Sequence, residues 1–350
     1  MTENGSVRVL AGDIGGTKTR LAIVEVDGIE LDIRVEETFP SQEHASLRAI
    51  IQRFVRAHSE PVGAACFGVA GPVRHNVAAT TNLPWHIDAA ELAERFGIER
   101  VSLLNDLEAS AWGIQALDGD DILELHAGAE DASGNAAIIA AGTGLGEAGM
   151  YHDGHCLRPF ATEGGHTDFS PNSDQEIELL GYLKQRYAHV SWERVLAGPG
   201  LVHIHDFLRY SKRSDPPAWL AEAMRAGDPA AAISHAAQAR RDDVCEEALE
   251  LFVHLYGVEA GNLALKHMAT GGVYIGGGIA PKIVDWLKGG AFIDAFRGKG
   301  RMRPLLDRMP VRVILNDRAA LYGPALYAAR LFDSRDGMSS VTCDSSAGTP

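Results

Sequence analysis

The sequence has little cysteine, no long apolar run and a deficit of basic residues, and each shortage closes off a class of function. Only four cysteines occur among 350 residues, Cys66, Cys156, Cys245 and Cys343, and no two of them form a CxxC pair. A disulfide framework or zinc knuckle is therefore not expected, and the thiols are read as reduced. No segment approaches the roughly 18 consecutive apolar residues of a membrane span. The opening MTENGSVRVL has neither the basic nor the apolar region of a secretory signal. We expect a cytoplasmic protein with no membrane partner. Lysine and arginine total 32 against 47 aspartates and glutamates, a formal charge of −15. A net anion repels a phosphate backbone at long range, so no nucleic-acid partner is expected.

What is present is ordinary for a globular protein: 46% apolar and 23% charged residues. The length exceeds what a single core usually serves, so two domains are expected. Strand and helix patterns alternate. Val7 to Leu10 and Thr19 to Val26 read as strands joined by a glycine turn, Ser46 to His58 as a helix, and Val62 to Val69 as a buried strand. Asp88 opens a second helix, Val101 to Leu104 forms a strand, and Asn105-Asp106 caps the helix that follows. The acidic stretch Asp118 to Asp121 marks a crossing into a second domain.

There the opening pattern returns. Ala136 to Ala141 is apolar, Gly142 to Gly146 is a glycine turn, and Glu147 to Tyr151 is a strand. Residues 173 to 268 are mostly helical in composition, and VYIGGGIAP, with Gly276, Gly277 and Gly278, reads as strand and turn. Val311 to Leu315 is the last strand. A final helix runs to about Phe332, with Asp317 as its N-cap, and the small polar tail from 333 to 350 is read as disordered. The alternation argues for α/β architecture with mixed sheets, in domains of residues 1–117 and 118–317, with helix 318–332 packing back on the first.

The stretch GDIGGTKT carries the first chemical signal. From Gly12 it differs from a Walker A loop only in Thr17, which stands where the last glycine belongs. A Walker loop leads into a helix whose amides face phosphate. Here Leu21, Ile23, Val24 and Val26 read as a strand, and Asp27-Gly28 as the next turn. We therefore expect a phosphate-holding hairpin turn, built from Gly12, Asp13, Ile14, Gly15, Gly16, Thr17 and Lys18. Gly15 and Gly16 let backbone amides approach an anion, while the Thr17 hydroxyl and Lys18 ammonium add donors. Asp13 beside an anion implies a divalent cation, and Mg2+, which keeps several waters, suits that position through water. Thr143 and Gly144 repeat the turn, so two loops can clamp one polyphosphate.

DIGGTKTR, GVAGPV, TNLPW, LLNDLEAS, AAGTGLGEAG, EGGHTDF, ERVLAGPGL and YIGGGIAP, in this order, resemble the bacterial glucokinase family of the sugar-kinase/actin/heat-shock-chaperone superfamily. The resemblance spans about Val9 to Phe332. It implies a two-lobed actin-like ATPase (ribonuclease H-like) fold with an active-site cleft between the lobes. The implied reaction is transfer of the γ-phosphoryl group of ATP to the 6-hydroxyl of D-glucose, an early step of glycolysis, with ATP and Mg2+ as cofactors. By this resemblance Asp106 is the general base beside Asn105. Glu163, His166 and Glu193 contact the sugar, and Gly276, Gly277 and Gly278 form the adenosine-side turn. The resemblance also implies a homodimer.

Each assignment has a plainer alternative. Asp106 can be a helix N-cap, the glycine turns can be structural, and His152, His155, His166 and Asp168 can be imagined as a zinc cluster. Glycine turns separate those four residues, and no cysteine set follows His166, unlike the pattern of the repressor/ORF/kinase group. Two other functions compete: a sugar-responsive repressor, for which only about six residues precede the first strand, and an actin-like or chaperone-like ATPase, which leaves Glu163, His166 and Glu193 unexplained. A kinase of different hexose or phosphoryl-donor specificity, or a non-catalytic sugar-sensing relative, also stays open.

Overall fold

The computed structural model describes residues 6–80 and 83–333. Thr81 and Asn82 of the TNLPW motif, Cys343 and the tail from 334 lie outside the described residues. The chain divides into two compact units. One comprises Met1–Gly119, Met150–Ala161 and Asn316–Pro350, and the other Asp120–Gly149 and Thr162–Leu315.

In the first unit, strands β1 (Val7–Ile14), β2 (Lys18–Asp27), β3 (Glu30–Pro40), β4 (Ala64–Val69) and, further along the chain, Arg100–Asn105 form a five-stranded sheet. Between them lie helix α1 (Leu47–Ala57), the short strands β5 (Val73–Arg74), β6 (Val77–Ala79) and β7 (His86–Asp88), and helix α2 (Ala89–Phe96). With Arg100–Asn105 as β8, the sheet order is β3-β2-β1-β4-β8, and β5-β6-β7 form a small separate sheet. Alternation along β1 sends Leu10 and Ile14 into a core with Ile50, Phe54 and Leu92 from α1 and α2. Val7, Val9 and Ala11 face the other core. There they meet Trp112 of helix α3 (Asp106–Gly113), and Leu321 and Ala325 of the last helix.

Helix starts follow the polar residues of the sequence. Ser46 Oγ accepts from the Ala49 amide at 3.3 Å, and Asp88 Oδ1 from Ala90 at 2.8 Å, each satisfying a donor that the helix leaves unpaired.

The remaining strands are β9 (Ile122–His126), β10 (Ala136–Ala141), β11 (Leu145–His152), β12 (Leu157–Ala161), β13 (Gly272–Gly276) and β14 (Val311–Ile314). All belong to the second unit except β12 and the end of β11 from Met150, which belong to the first. The six-stranded sheet runs β12-β11-β10-β13-β14-β9. Helices α4 (Asp174–Leu183), α5 (Gly198–Lys212), α6 (Ala218–Ala226), α7 (Pro229–Gln238) and α8 (Asp243–His267) fill the expected helical region. Short helices α9 (Val284–Leu287), α10 (Ala291–Arg297) and α11 (Arg303–Leu306) precede β14, and α12 (Ala319–Asp333) closes the described chain. The core gathers around α8, whose Phe252, Tyr256 and Ala260 are wholly buried.

Among the described residues Cys66, Cys156 and Cys245 are free and buried. No helix there is long and apolar enough to cross a membrane, and no three His, Cys, Asp or Glu side chains group to hold a metal.

Candidate active site

The turn after β1 is a hairpin. Ile14 pairs with Thr19 and Asp13 with Arg20 in antiparallel register, leaving Gly15, Gly16 and Thr17 as the connection. Lys18 starts a strand, so the Walker loop is excluded: no helix follows to aim its amides at phosphate. The strand reaches further into the motif than the sequence indicates. Gly12 is internal to β1, where a Cβ would fall 2.6 Å from Phe67 Cδ1, and Ile14 is 1% exposed in the core. Gly15 N–H donates to Lys18 O at 2.9 Å. Ser41 serves the turn twice, its amide donating to Thr17 O at 3.0 Å and its hydroxyl to Gly15 O at 2.8 Å. Two carbonyls that would repel an anion are thereby occupied, while the Thr17 and Lys18 side chains are exposed.

Asp13 is held by a residue the motif reading missed. Arg20 Nη2 lies 3.1 Å from Asp13 Oδ2, while Arg20 Nη1 reaches Asp317 Oδ2 at 3.1 Å and Nη2 the Asp317 carbonyl at 2.9 Å. Burial pushes the Asp13 carboxyl above its ordinary value, and Arg20 opposes that shift. The signal was available in the hairpin itself, because a turn centred on Gly16-Thr17 sets residue 13 opposite residue 20. Asp317, expected as an N-cap, is thus tied to the hairpin, and Asn316 Oδ1 accepts from the Arg318 amide at 2.9 Å.

Asn105 and Asp106 share the same sheet edge as the hairpin. β1, β4 and β8 are parallel, with Ile14 opposite Val69 and Val69 opposite Asn105, so the turn and the start of α3 leave the carboxyl ends of adjacent parallel strands. Ligands of parallel α/β sheets collect at that edge. The cap of α3 is Asn105, whose Oδ1 accepts from Leu107 at 3.0 Å and Glu108 at 3.4 Å, while its Nδ2 donates to Gly71 O at 3.2 Å. Asp106 is the first helical residue, and its Oδ1 also accepts from Leu107 N–H, at 2.9 Å. The capping role belongs to its neighbour, and the positive helix end favours the Asp106 carboxylate.

The second unit repeats this edge. β10 and β13 are parallel, with Ala140 opposite Gly276, so the Gly142–Gly144 turn and the Gly276–Gly278 turn emerge side by side. Gly277 has a φ of 81°, and a Cβ there would sit 2.3 Å from Ala141 O. Only glycine fits. The buried Tyr256 hydroxyl joins both strand ends, accepting from Ala141 N–H at 3.1 Å and lying 3.3 Å from the Ile139 and Gly276 carbonyls. Like Arg20 and Ser41, Tyr256 is marked by no motif, being hidden in the apolar run of α8.

Glu193 lies in the same group. Its Oε2 accepts from Leu145 N–H at 3.1 Å, just past the Thr143-Gly144 turn, and a Cβ on Gly144 would fall 2.5 Å from that oxygen. Glu163 and His166 flank a single tight turn, Gly164–His166, in which Glu163 Oε2 and His166 Nε2 stand 3.8 Å apart and both side chains are exposed. Gly165 packs on the Leu145 carbonyl, where a Cβ would come within 2.1 Å. Trp192 N–H donates to Thr167 O at 3.0 Å, stitching the Glu193 turn to the Glu163–His166 turn. Asp168 instead pairs with His189 at 2.8 Å, away from any zinc cluster among the described residues.

Each unit thus presents one set of candidate residues: Gly12 to Lys18, Asn105 and Asp106 in the first, and Thr143, Gly144, Glu163, His166, Glu193 and Gly276 to Gly278 in the second. The glucokinase family model matches residues 10–331. The chain belongs to the glucokinase family. It is 44% identical over 342 residues to a glucokinase of Nostoc sp., covering 92% of this chain and 99% of the relative. Among solved structures, a glucokinase from an Antarctic psychrotroph superposes with a TM-score of 0.81 at 31% identity, covering 92% of this chain and 99% of the other. A glucokinase of the ROK family from Streptomyces griseus, in complex with glucose and AMPPNP, shares the fold at TM-score 0.59 and 21% identity, covering 92% and 99%. The chain is accordingly a kinase with the α/β actin-like fold of this family.

Proposed function

We propose that this kinase transfers the γ-phosphoryl group of ATP to the 6-hydroxyl of D-glucose, yielding glucose 6-phosphate and ADP. The observation that carries the reading is the placement of Asp106 at the first position of α3, with Asn105 doing the capping, on the same sheet edge as the glycine hairpin. Relatives at 41–44% identity bear the glucokinase name, and the Streptomyces relative binds glucose with an ATP analogue.

In this reading Asp106 accepts the proton of the attacking 6-hydroxyl, since phosphoryl transfer asks the protein mainly to orient the nucleophile and balance charge. Asn105, Glu163, His166 and Glu193 hold the remaining hydroxyls, whose paired donor and acceptor character suits carboxylates and imidazole. The turns at Gly15–Lys18 and Thr143-Gly144 hold phosphates, and Gly276–Gly278 take the adenosine side.

Magnesium fits the donors present in a limited way. Asp13 offers a single carboxylate already paired with Arg20, which suits an ion that keeps its waters and takes its other ligands from phosphate. Bound there, Mg2+ would neutralise charge on the transferring phosphates. The same reading makes the enzyme a cytoplasmic homodimer at an early step of glycolysis. It divides the chain at residues 117 and 118, with helix 318–332 returning to the first domain.

A coupled assay crossing a hexose panel with ATP, ADP and polyphosphate, with and without Mg2+, tests the proposal. Turnover specific to glucose and ATP is expected. Absence of sugar-dependent product with every donor overturns it.

A further inference from the structure

Beneath the Glu163–His166 turn lies a carboxyl group for which neither the fold nor the reaction described so far has a use. Glu147, in the middle of β11, is 2% exposed, and its Oε1 is buried without a hydrogen-bond partner. A Cβ on Gly164 would lie 1.9 Å from its Oε2, so the carboxyl group rests directly against the Gly164 backbone. The main chain of the same residue supports the turn as well. Glu147 O accepts from Thr162 Oγ1 at 2.8 Å, and Thr162 Oγ1 accepts from Gly164 N–H at 3.3 Å.

We propose that Glu147 is a positioning residue for the Glu163–His166 turn, its side chain forming the floor on which Gly164 rests. The proposal rests on the assignment of Glu163 and His166 to the sugar. Its chemistry requires the carboxyl group to be neutral, because a buried carboxylate with an unpartnered oxygen carries a large desolvation penalty.

The charges around it favour the neutral form. From α8, Glu259 faces Glu147 and is itself wholly buried, while Lys266 pairs with Glu259 at 3.2 Å. Tyr256 on the same helix is uncharged, its hydroxyl pushed up by burial. Lys299, beyond Glu259, donates to Val258 O and Asn262 Oδ1. On the turn side stand the exposed Glu163 and His166. Burial and then Glu259 push the Glu147 carboxyl up to about 8, with Lys266 opposing. It is therefore protonated at neutral pH and ionises at alkaline pH, where the new charge draws water under the turn or displaces Gly164.

Two measurements on the full chain test this, comparing the parent with Glu147→Gln and Glu147→Val. The first is amide hydrogen exchange of residues 162–168 at pH 7 and pH 9, corrected for base catalysis, and the second is calorimetric titration with D-glucose at both pH values. In the parent, protection of the turn falls and the glucose Kd rises about tenfold at pH 9, because each pH unit above the ionisation midpoint removes about nine-tenths of the competent form. Glu147→Gln, neutral at both values, shows no such change. Glu147→Val weakens glucose binding already at pH 7, with KM rising more than kcat falls. The same alkaline loss in Glu147→Gln, or none in the parent, overturns the proposal. If Glu147→Val fails to fold, the parent and glutamine comparison decides alone. If glucose does not bind the parent, the sugar assignment falls, while the exchange data still decide whether Glu147 supports the turn.

Discussion

The Glu193 carboxylate accepts the Leu145 amide at 3.1 Å, so a residue assigned to the sugar is also the brace of a glycine turn assigned to phosphate. The two assignments are therefore mechanically linked within one unit. Glu193→Ala is expected to raise the KM for both glucose and ATP and to cost about 1–3 kcal/mol of stability, since the buried Leu145 N–H loses its acceptor. Gly144→Ala, whose Cβ would stand 2.5 Å from the same oxygen, should move both constants in the same direction. Crossed substrate titrations check this; a change confined to glucose would separate the two roles.

Asp106→Asn should reduce kcat by about 10²–10⁴-fold, the contribution of a positioned general base, with glucose affinity changed little. Because Asn105 caps the helix, the thermal midpoint should stay near that of the parent. Asn105→Ala reverses this pattern in stability, costing about 1 kcal/mol for the lost cap. Steady-state kinetics with calorimetric unfolding distinguish the two residues.

Arg20→Ala removes the one guanidinium shared by Asp13 and Asp317. Both partners of the Asp13 pair are partly exposed, so the loss is expected near 2 kcal/mol, below the value for a fully buried pair. With the opposing cation gone, the Asp13 carboxyl rises further above its ordinary range. A rate that needs Asp13 ionised is lost as pH falls through that value, so the acid limb of the rate profile should move to higher pH. An unmoved limb would show that Asp13 does not govern turnover.

Tyr256→Phe deletes the hydroxyl between β10 and β13 and leaves the buried Ala141 N–H without an acceptor. We expect about 1–3 kcal/mol of destabilisation, together with a higher KM for ATP, because the Gly142–Gly144 and Gly276–Gly278 turns lose their common anchor. Unchanged nucleotide affinity in a destabilised variant would limit Tyr256 to a packing role.

Local signals carried most of the fold. Both hairpins, the helices begun by Ser46 and Asp88, and the long α8 were readable because each depends on neighbours in sequence. Strands β3, β9 and β12 and the small β5-β6-β7 sheet were missed: along Glu30–Pro40 charged residues interleave with Leu31, Ile33 and Val35 and only Phe39 is buried, and the others are too short to show a period. At the site, glycine motifs located the turns, whereas Ser41 and Tyr256 act from 26 and 115 residues away, and the distance between Glu193 and Leu145 is 48 positions. Such partners are fixed by tertiary packing, which no motif encodes. Arg20 is the exception, since hairpin register alone places it opposite Asp13.

The turn carrying Glu163 and His166 also sets a rule for redesign. Gly164 and Gly165 have Glu147 and the Leu145 carbonyl pressed against them from one side, so neither position admits a side chain. Libraries aimed at other hexoses should diversify Glu163, His166 and Glu193 and hold both glycines constant. Variation at the glycines would spend most of its members on unfolded chains rather than on new specificities.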